Sequence, residues 1–243
     1  DGWKWVCFSP ENYPAEDFYN DIVEMKVGKN VSDVYGNKMS LQEYQEACEF
    51  INNHFFFIYP DEAHTIDKLH ELALVLMKKH GIDGLILDPY NQVEQEESDT
   101  MYNEVKKFAS IIKRFSVKYN ISYNIIIHPK LPVLPKDGGE FKAADLFDLA
   151  QGSMWGNKLD NVVSFHRPHW FIDKKDPLCH IYTQKIKRKR TGGEHGMVEM
   201  FYDFRSARFY EIDATGRSKY LCDPKRKIDY QSTLELEFED APF

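Results

Sequence analysis

The sequence predicts an α/β fold, with a mostly parallel sheet flanked by helices and antiparallel strands in the C-terminal half. Three observations carry this. Short apolar runs alternate with helical stretches as far as residue 127, the pattern of crossovers in a parallel sheet. One of these runs, Gly84-Leu85-Ile86-Leu87, ends in a lone carboxylate, Asp88, and then the turn Pro89-Tyr90-Asn91. A buried parallel strand brings an acid to the ligand-binding carboxyl edge of a sheet in this way. Beyond residue 160, strand-like runs follow one another with little helix between them.

Lys4 to Ser9 reads as a buried strand, and Pro14 to Met25 as a helix with acidic residues in its first turn. Ser40 caps a helix over Leu41 to Asn52, with Glu43 at the capping-box position. His54 to Tyr59 is an aromatic strand. Thr65 to His80 is an amphipathic helix with Ile66, Leu69, Leu72, Ala73 and Leu76 on one face, stopped by Gly81. Leu85 to Leu87 is the strand before Asp88, Asp99 to Tyr119 a long helix, and Tyr123 to Ile127 a strand running into His128-Pro129. Lys130 to Lys142 is a Pro/Gly-rich loop. Val162 to His166, His180 to Lys187, Met197 to Phe204 and Arg208 to Ile212 are further strands. There is no internal repeat and no composition break, so residues 1–230 are expected to form one core and residues 231–243 an acidic, disordered tail.

The chain has 243 residues, 42% of them hydrophobic and 29% charged, enough for a sizeable core. No apolar run approaches membrane-spanning length, and Asp1 to Val6 forms no signal peptide. Asp1 opens just ahead of a strand with no initiator methionine, so the chain is expected to be a piece of a longer protein. The net charge of −8 argues against a wholly basic nucleic-acid coat, although Lys185 to Arg190 is strongly basic and Glu94 to Asp99 acidic. Cys7, Cys48, Cys179 and Cys222 lie far apart without a CxxC pair, which suits reduced thiols in a cytoplasmic protein. His166-x-x-His169 and Cys179-His180 lack the second paired cluster that a zinc site needs.

Three strands end in suggestive residues: Ser9-Pro10-Glu11-Asn12, Asp88-Pro89-Tyr90-Asn91 and His128-Pro129-Lys130. In a parallel sheet all three meet at one edge. A glutamate there can polarise water, an aspartate can position Mg²⁺ and a histidine can sense a terminal phosphate, which together make phosphoryl-transfer machinery.

On these residues the chain resembles the RecA-type motor domain of ring-shaped replicative helicases, the family of DnaB, mitochondrial Twinkle and phage helicase–primases. Val6 to Glu11 is similar to the strand ending in Ser-x-Glu, Leu85 to Asp88 to Walker B, and Ile125 to His128 to the strand ending in His or Gln. Asp148 to Ser153 with Asp160 to Val163 resembles the block bordering the DNA-facing loop. Arg190-Thr191-Gly192, with Gly196 beyond, resembles the block carrying the arginine finger. The resemblance runs in family order from about residue 4 to 212. It implies a RecA-like fold, ATP and Mg²⁺ as cofactors, single-stranded DNA as partner and a homo-oligomeric ring, hexameric in the complete protein. It implies Glu11 as catalytic base, Asp88 as the Mg²⁺-associated acid, His128 as phosphate sensor, and Arg190 reaching the neighbouring subunit's nucleotide with Arg188 as companion. A one-residue shift would put Lys187 and Lys189 there instead. Arg167 and Tyr202 match positions that sandwich the nucleotide base. DNA contacts would come from Lys130, Lys136, Lys142, Gly152 and Lys158.

The departure from the family is the absence of G-x-x-x-x-G-K-[ST], since Gly28-Lys29 lacks both the upstream glycine and the Ser/Thr. The P-loop strand is therefore expected to be missing, leaving a gap beside the Asp88 strand and an exposed apolar edge. The reading is thus a fragment of an ATP-dependent DNA helicase of phage or mobile-element type, inactive alone as an ATPase. The rivals are a non-catalytic RecA-like module that binds nucleic acid or a partner, and a recombinase-type ATPase. The closing run Leu234-Glu235-Leu236-Glu237-Phe238-Glu239-Asp240-Ala241-Pro242-Phe243 looks like the tip of bacterial single-stranded DNA-binding proteins, a candidate dock for replication partners.

Overall fold

A computed structural model describes residues 2–12, 14–60, 64–94, 100–130 and 141–222, the side chains of Thr191 and Gly192 excepted. Lys136, most of the Lys130–Lys142 loop and the acidic tail lie outside the described residues.

Strands β1 (Trp5–Phe8), β2 (Phe55–Phe57), β3 (Gly84–Leu87) and β4 (Ser122–Ile125) form a parallel sheet in the order β2-β1-β3-β4. The helices between them are α1 (Ala15–Val27), α2 (Leu41–His54), α3 (Ile66–His80) and α4 (Met101–Tyr119). Their ends follow the expected chemistry. Ser40 and Glu43 complete a reciprocal capping box, Thr65 and Thr100 cap α3 and α4, and Gly81 closes α3 with φ +67°. Burial then fixes the layers. Val6, Phe8, Leu85 and Leu87 pack with Leu69 and Ala73 of α3 and with Val105, Phe108 and Ile112 of α4. Each large apolar side chain buried this way contributes roughly 1.5–3 kcal/mol. A smaller cluster, Val23, Met39, Ala47 and Ile51, joins α1 to α2.

The second half is antiparallel as expected. After the short helix α5 (Gly152–Lys158) come β5 (Asn161–His166), β6 (Leu178–Ile186), the one-turn α6 (Lys189–Gly192), β7 (Met197–Asp203), β8 (Arg208–Ile212) and β9 (Ser218–Tyr220). They pair in chain order, β5-β6-β7-β8-β9.

One expectation fails. No gap lies beside the Asp88 strand, because β3 uses both of its edges. Trp5 to Phe8 pair with Gly84 to Leu87 on one side, and Ser122 to Ile125 on the other. The outer strands of the parallel sheet are β2 and β4. Gly84 makes the first pairing possible: the Trp5 ring lies over it, and a Cβ there would sit 2.1 Å from that ring. The last parallel strand is also shorter than expected. It ends at Ile125, after which the Ile126 N–H still donates to the Leu87 carbonyl (2.9 Å) and the chain leaves the sheet before His128.

Candidate active site at the carboxyl edge of the parallel sheet

Because β1 and β3 are neighbours, Ser9 and Asp88 leave the sheet side by side. The buried Ser9 hydroxyl donates to Asp88 Oδ2 (2.9 Å). The Asn12 amide donates to Ser9 Oγ (2.6 Å) and lies 3.4 Å from the same Asp88 oxygen. Among the described residues nothing donates a hydrogen bond to Asp88 Oδ1. Glu11 rides on the 3-10 turn Pro10–Asn12, which carries it across to β4's end, where its Oε2 is 3.4 Å from His128 Nε2. Both side chains are about half exposed, so the pair opens to solvent. Beneath them Cys7 is inert: burial, and secondarily the Asp88 charge, pushes its thiol up to about 12. Glu11, Asp88 and His128, predicted from three separated segments, thus share one edge. Sequence reasoning missed Ser9 and Asn12 as site residues. Their signal, small polar residues flanking Glu11 in the motif, was present in the sequence.

The basic run that starts at the end of β6 divides into anchors and free cations. Lys185 Nζ donates to the carbonyls of Gly156 (2.5 Å) and Leu159 (2.7 Å), closing the end of α5. Lys187 binds Asp160 (2.7 Å), which Lys113 of α4 also holds. Burial alone would raise the Asp160 pKa, but these two lysines outweigh it and hold the carboxyl below its usual range. Arg188, Lys189 and Arg190 are exposed, and among the described residues their side chains have no hydrogen-bond or ion-pair partner. Of the two registers, Lys187 is therefore spent within the fold, whereas Arg188, Lys189 and Arg190 are available.

Arg167 follows the last residue of β5, and Tyr202 lies on β7 on the face that Met200 shares with its partner Cys179. The Arg167 guanidinium donates to the carbonyls of Lys174 (2.8 Å) and Asp176 (3.1 Å), so it clasps its own loop. Tyr202 is half-buried against Phe204 and Phe209. Of the DNA-facing residues, Lys130 is exposed with its N–H on the Asp148 carbonyl (2.9 Å), Lys142 is exposed and paired with Asp145 (2.7 Å), and Lys158 sits in the last turn of α5. Gly152 is buried, and a Cβ there would fall 1.5 Å from the Leu146 carbonyl oxygen. It is glycine because α5 starts flush against the turn Leu146–Asp148, and it offers no side-chain surface to a strand. Lys29 is tied to Glu43 (2.6 Å), so it is not a phosphate lysine. Among the described residues no three His, Cys, Asp or Glu side chains group as metal ligands, and no helix is long and apolar enough to cross a membrane. Alternation along β6 puts Cys179 and His180 on opposite faces.

No family model matches the chain. It is 28% identical over 235 residues, 93% of its length, to the Twinkle homolog protein, chloroplastic/mitochondrial, of Arabidopsis thaliana. It is 23% identical over 190 residues, 70% of its length, to the replicative DNA helicase DnaB of Rickettsia bellii. It spans 32% and 37% of those proteins, about a third of each. Among solved structures, a DnaB-like replicative helicase studied for its interactions with primase superposes with TM-score 0.68 at 13% identity, over 85% of this chain and 51% of that one. A solved ATPase domain superposes with TM-score 0.66 at 12% identity, over 85% of this chain and 74% of its own length. With the strand-end residues gathered on one edge, and with relatives matched over 93% and 70% of the chain, the molecule has a RecA-like fold and is similar to the helicase domains of the DnaB and Twinkle kind.

Proposed function

We propose that this chain is the motor-domain part of an ATP-dependent, ring-forming DNA helicase that moves along single-stranded DNA. The observation that carries this is the convergence of Glu11, Asp88 and His128, with Asp88 held by Ser9 and Glu11 beside His128. Glu11 takes the proton of an attacking water, and His128, in contact with it, reports whether a terminal phosphate is present. Asp88 fits Mg²⁺: one oxygen is fixed by Ser9 and Asn12, and the other faces no donor among the described residues. Bound there, Mg²⁺ would neutralise phosphate charge as it is transferred. The phosphate-cradling loop is not in this sequence, so no residue of the chain replaces its amides and lysine. The chain alone is therefore inactive as an ATPase. Arg190 with Arg188, unanchored cations on an anchored base, act on the nucleotide of a neighbouring subunit in a hexameric ring. Lys130, Lys136, Lys142 and Lys158 track a DNA backbone, and the acidic tail meets replication partners.

The absence of the phosphate loop also favours a second reading, a non-catalytic RecA-like module that binds nucleic acid or a partner. Steady-state ATPase assays separate the two. In the complete protein, Glu11→Gln should lower DNA-stimulated turnover by about 10²–10⁴-fold. Unchanged turnover in that variant would overturn the role of Glu11 as base, and robust turnover by the isolated chain would overturn its inactivity.

A further inference from the structure

We infer that the sheet face carrying His166, His180 and Tyr182 receives a base of single-stranded DNA, a base contact made beside the phosphate-tracking Lys142. The inference rests on the strand-binding reading above and adds how the strand is gripped.

Register builds the site. His166 pairs with His180 and Ser164 with Tyr182, so alternation sets His166, His180, Tyr182 and Gln184 on one face of β5 and β6. Across from them stands Phe141, whose ring stacks on Phe171 at 4.0 Å and is thereby held as a fixed wall. Between wall and floor lies a cavity of about 450 Å³, completed by Lys142, Asp145 and Pro168. That volume falls within the roughly 300–1,000 Å³ of small-molecule sites.

The lining selects a planar ring with polar edges. Floor and wall are both lined by aromatic side chains, which can stack any base whatever its sequence. The polar groups sit at the rim. The Gln184 amide nitrogen is spent on Ser164 Oγ (3.0 Å) and lies 3.4 Å from the Ala144 carbonyl, so its own carbonyl oxygen is left to accept from a base edge. The Tyr182 hydroxyl lies 3.5 Å from His180 Nδ1, and the Asp145 carboxylate holds Lys142 and the Phe147 N–H, so both are engaged within the fold. At the mouth, Lys142, paired with Asp145 at 2.7 Å and with 79% of its side chain exposed, stands where a base's own phosphate would lie. A base inside a duplex is stacked on both sides and cannot enter, so the site suits an unpaired strand.

Fluorescence anisotropy with the whole chain tests this, comparing a thymidine oligomer about twenty nucleotides long with an abasic oligomer of equal length and charge. The wild-type chain should bind the base-bearing strand more tightly. Tyr182→Leu should weaken that strand about tenfold, leave the abasic strand unchanged and preserve the salt slope, while Tyr182→Phe keeps the affinity. Equal binding of both oligomers by the wild type, or equal weakening of both by Tyr182→Leu, would overturn the base site and leave backbone tracking intact. Binding of neither oligomer would overturn the strand-binding reading and this inference with it. Should Tyr182→Leu fail to fold, an oligomer carrying 2-aminopurine reports on the wild type: quenched emission on binding supports insertion, and unquenched emission overturns it.

Discussion

His70 shows how a residue buried far from the site governs stability. Its ring stacks on Phe115 (3.8 Å), and Nε2 lies 3.2 Å from the Tyr123 hydroxyl. That hydroxyl can donate to Nε2 only while the imidazole is neutral. Burial lowers the His70 pKa from 6.5 to about 4. Between those values the unfolded chain binds the proton and the folded chain does not, so stability is full above pH 6.5 and falls as pH drops toward 4. The whole shift corresponds to about 3 kcal/mol. Urea melts at about pH 7 and about pH 4.5 should show most of that loss in the wild type. His70→Leu should flatten the dependence, and an equally steep variant would refute the assignment. Gly152 is constrained by space instead. Gly152→Ala forces a Cβ against the Leu146 carbonyl, and backbone cannot yield as a flexible side chain can. A loss of at least about 2 kcal/mol is expected in the same melts.

Local chemistry made the elements legible in the sequence, and pairing hid the rest. Ser40, Glu43 and Gly81 marked helix ends from a few neighbouring residues, and the structure uses them as caps. Ser40→Ala should therefore cost about 1 kcal/mol, read as a lowered melting temperature. The Asp88 strand was legible because its apolar run is buried on both faces. β9 has three residues and α5 seven, too short for a period to show. Strand order was not legible, since it depends on partners roughly 40 to 80 residues apart, and so the expected gap beside Asp88 was misplaced. The same limit hid the division of labour in the basic run, where five cations look alike in sequence. Their contacts separate them. Lys185→Met removes the cation from two carbonyls and should cost about 1–2 kcal/mol, whereas Arg190→Ala should stay within about 0.5 kcal/mol of wild type.

At the scale of the whole molecule, the two sheets belong to distant stretches of chain, and Arg208 on β8 ties the second to the first. Its Nε donates to the Met25 carbonyl (2.8 Å) and its Nη2 to that of Lys26 (2.7 Å). These are carbonyls of the last turn of α1, which have no helical partner of their own. The guanidinium thus serves as the helix's C-terminal cation and as a link across 182 residues. Nearby, the Asn37 amide donates to the Arg205 carbonyl (3.3 Å). Charge-assisted bonds are worth about 1.5–3 kcal/mol each before losses to solvent. Arg208→Ala should therefore cost about 2–3 kcal/mol and speed amide exchange in both the last turn of α1 and β8. Arg208→Lys should recover less than half of the loss, because an ammonium restores the charge without the planar fork that reaches two carbonyls at once. Full recovery by lysine would mean that charge alone makes the link between β8 and α1. Faster exchange confined to β8 would mean that α1 does not depend on the link.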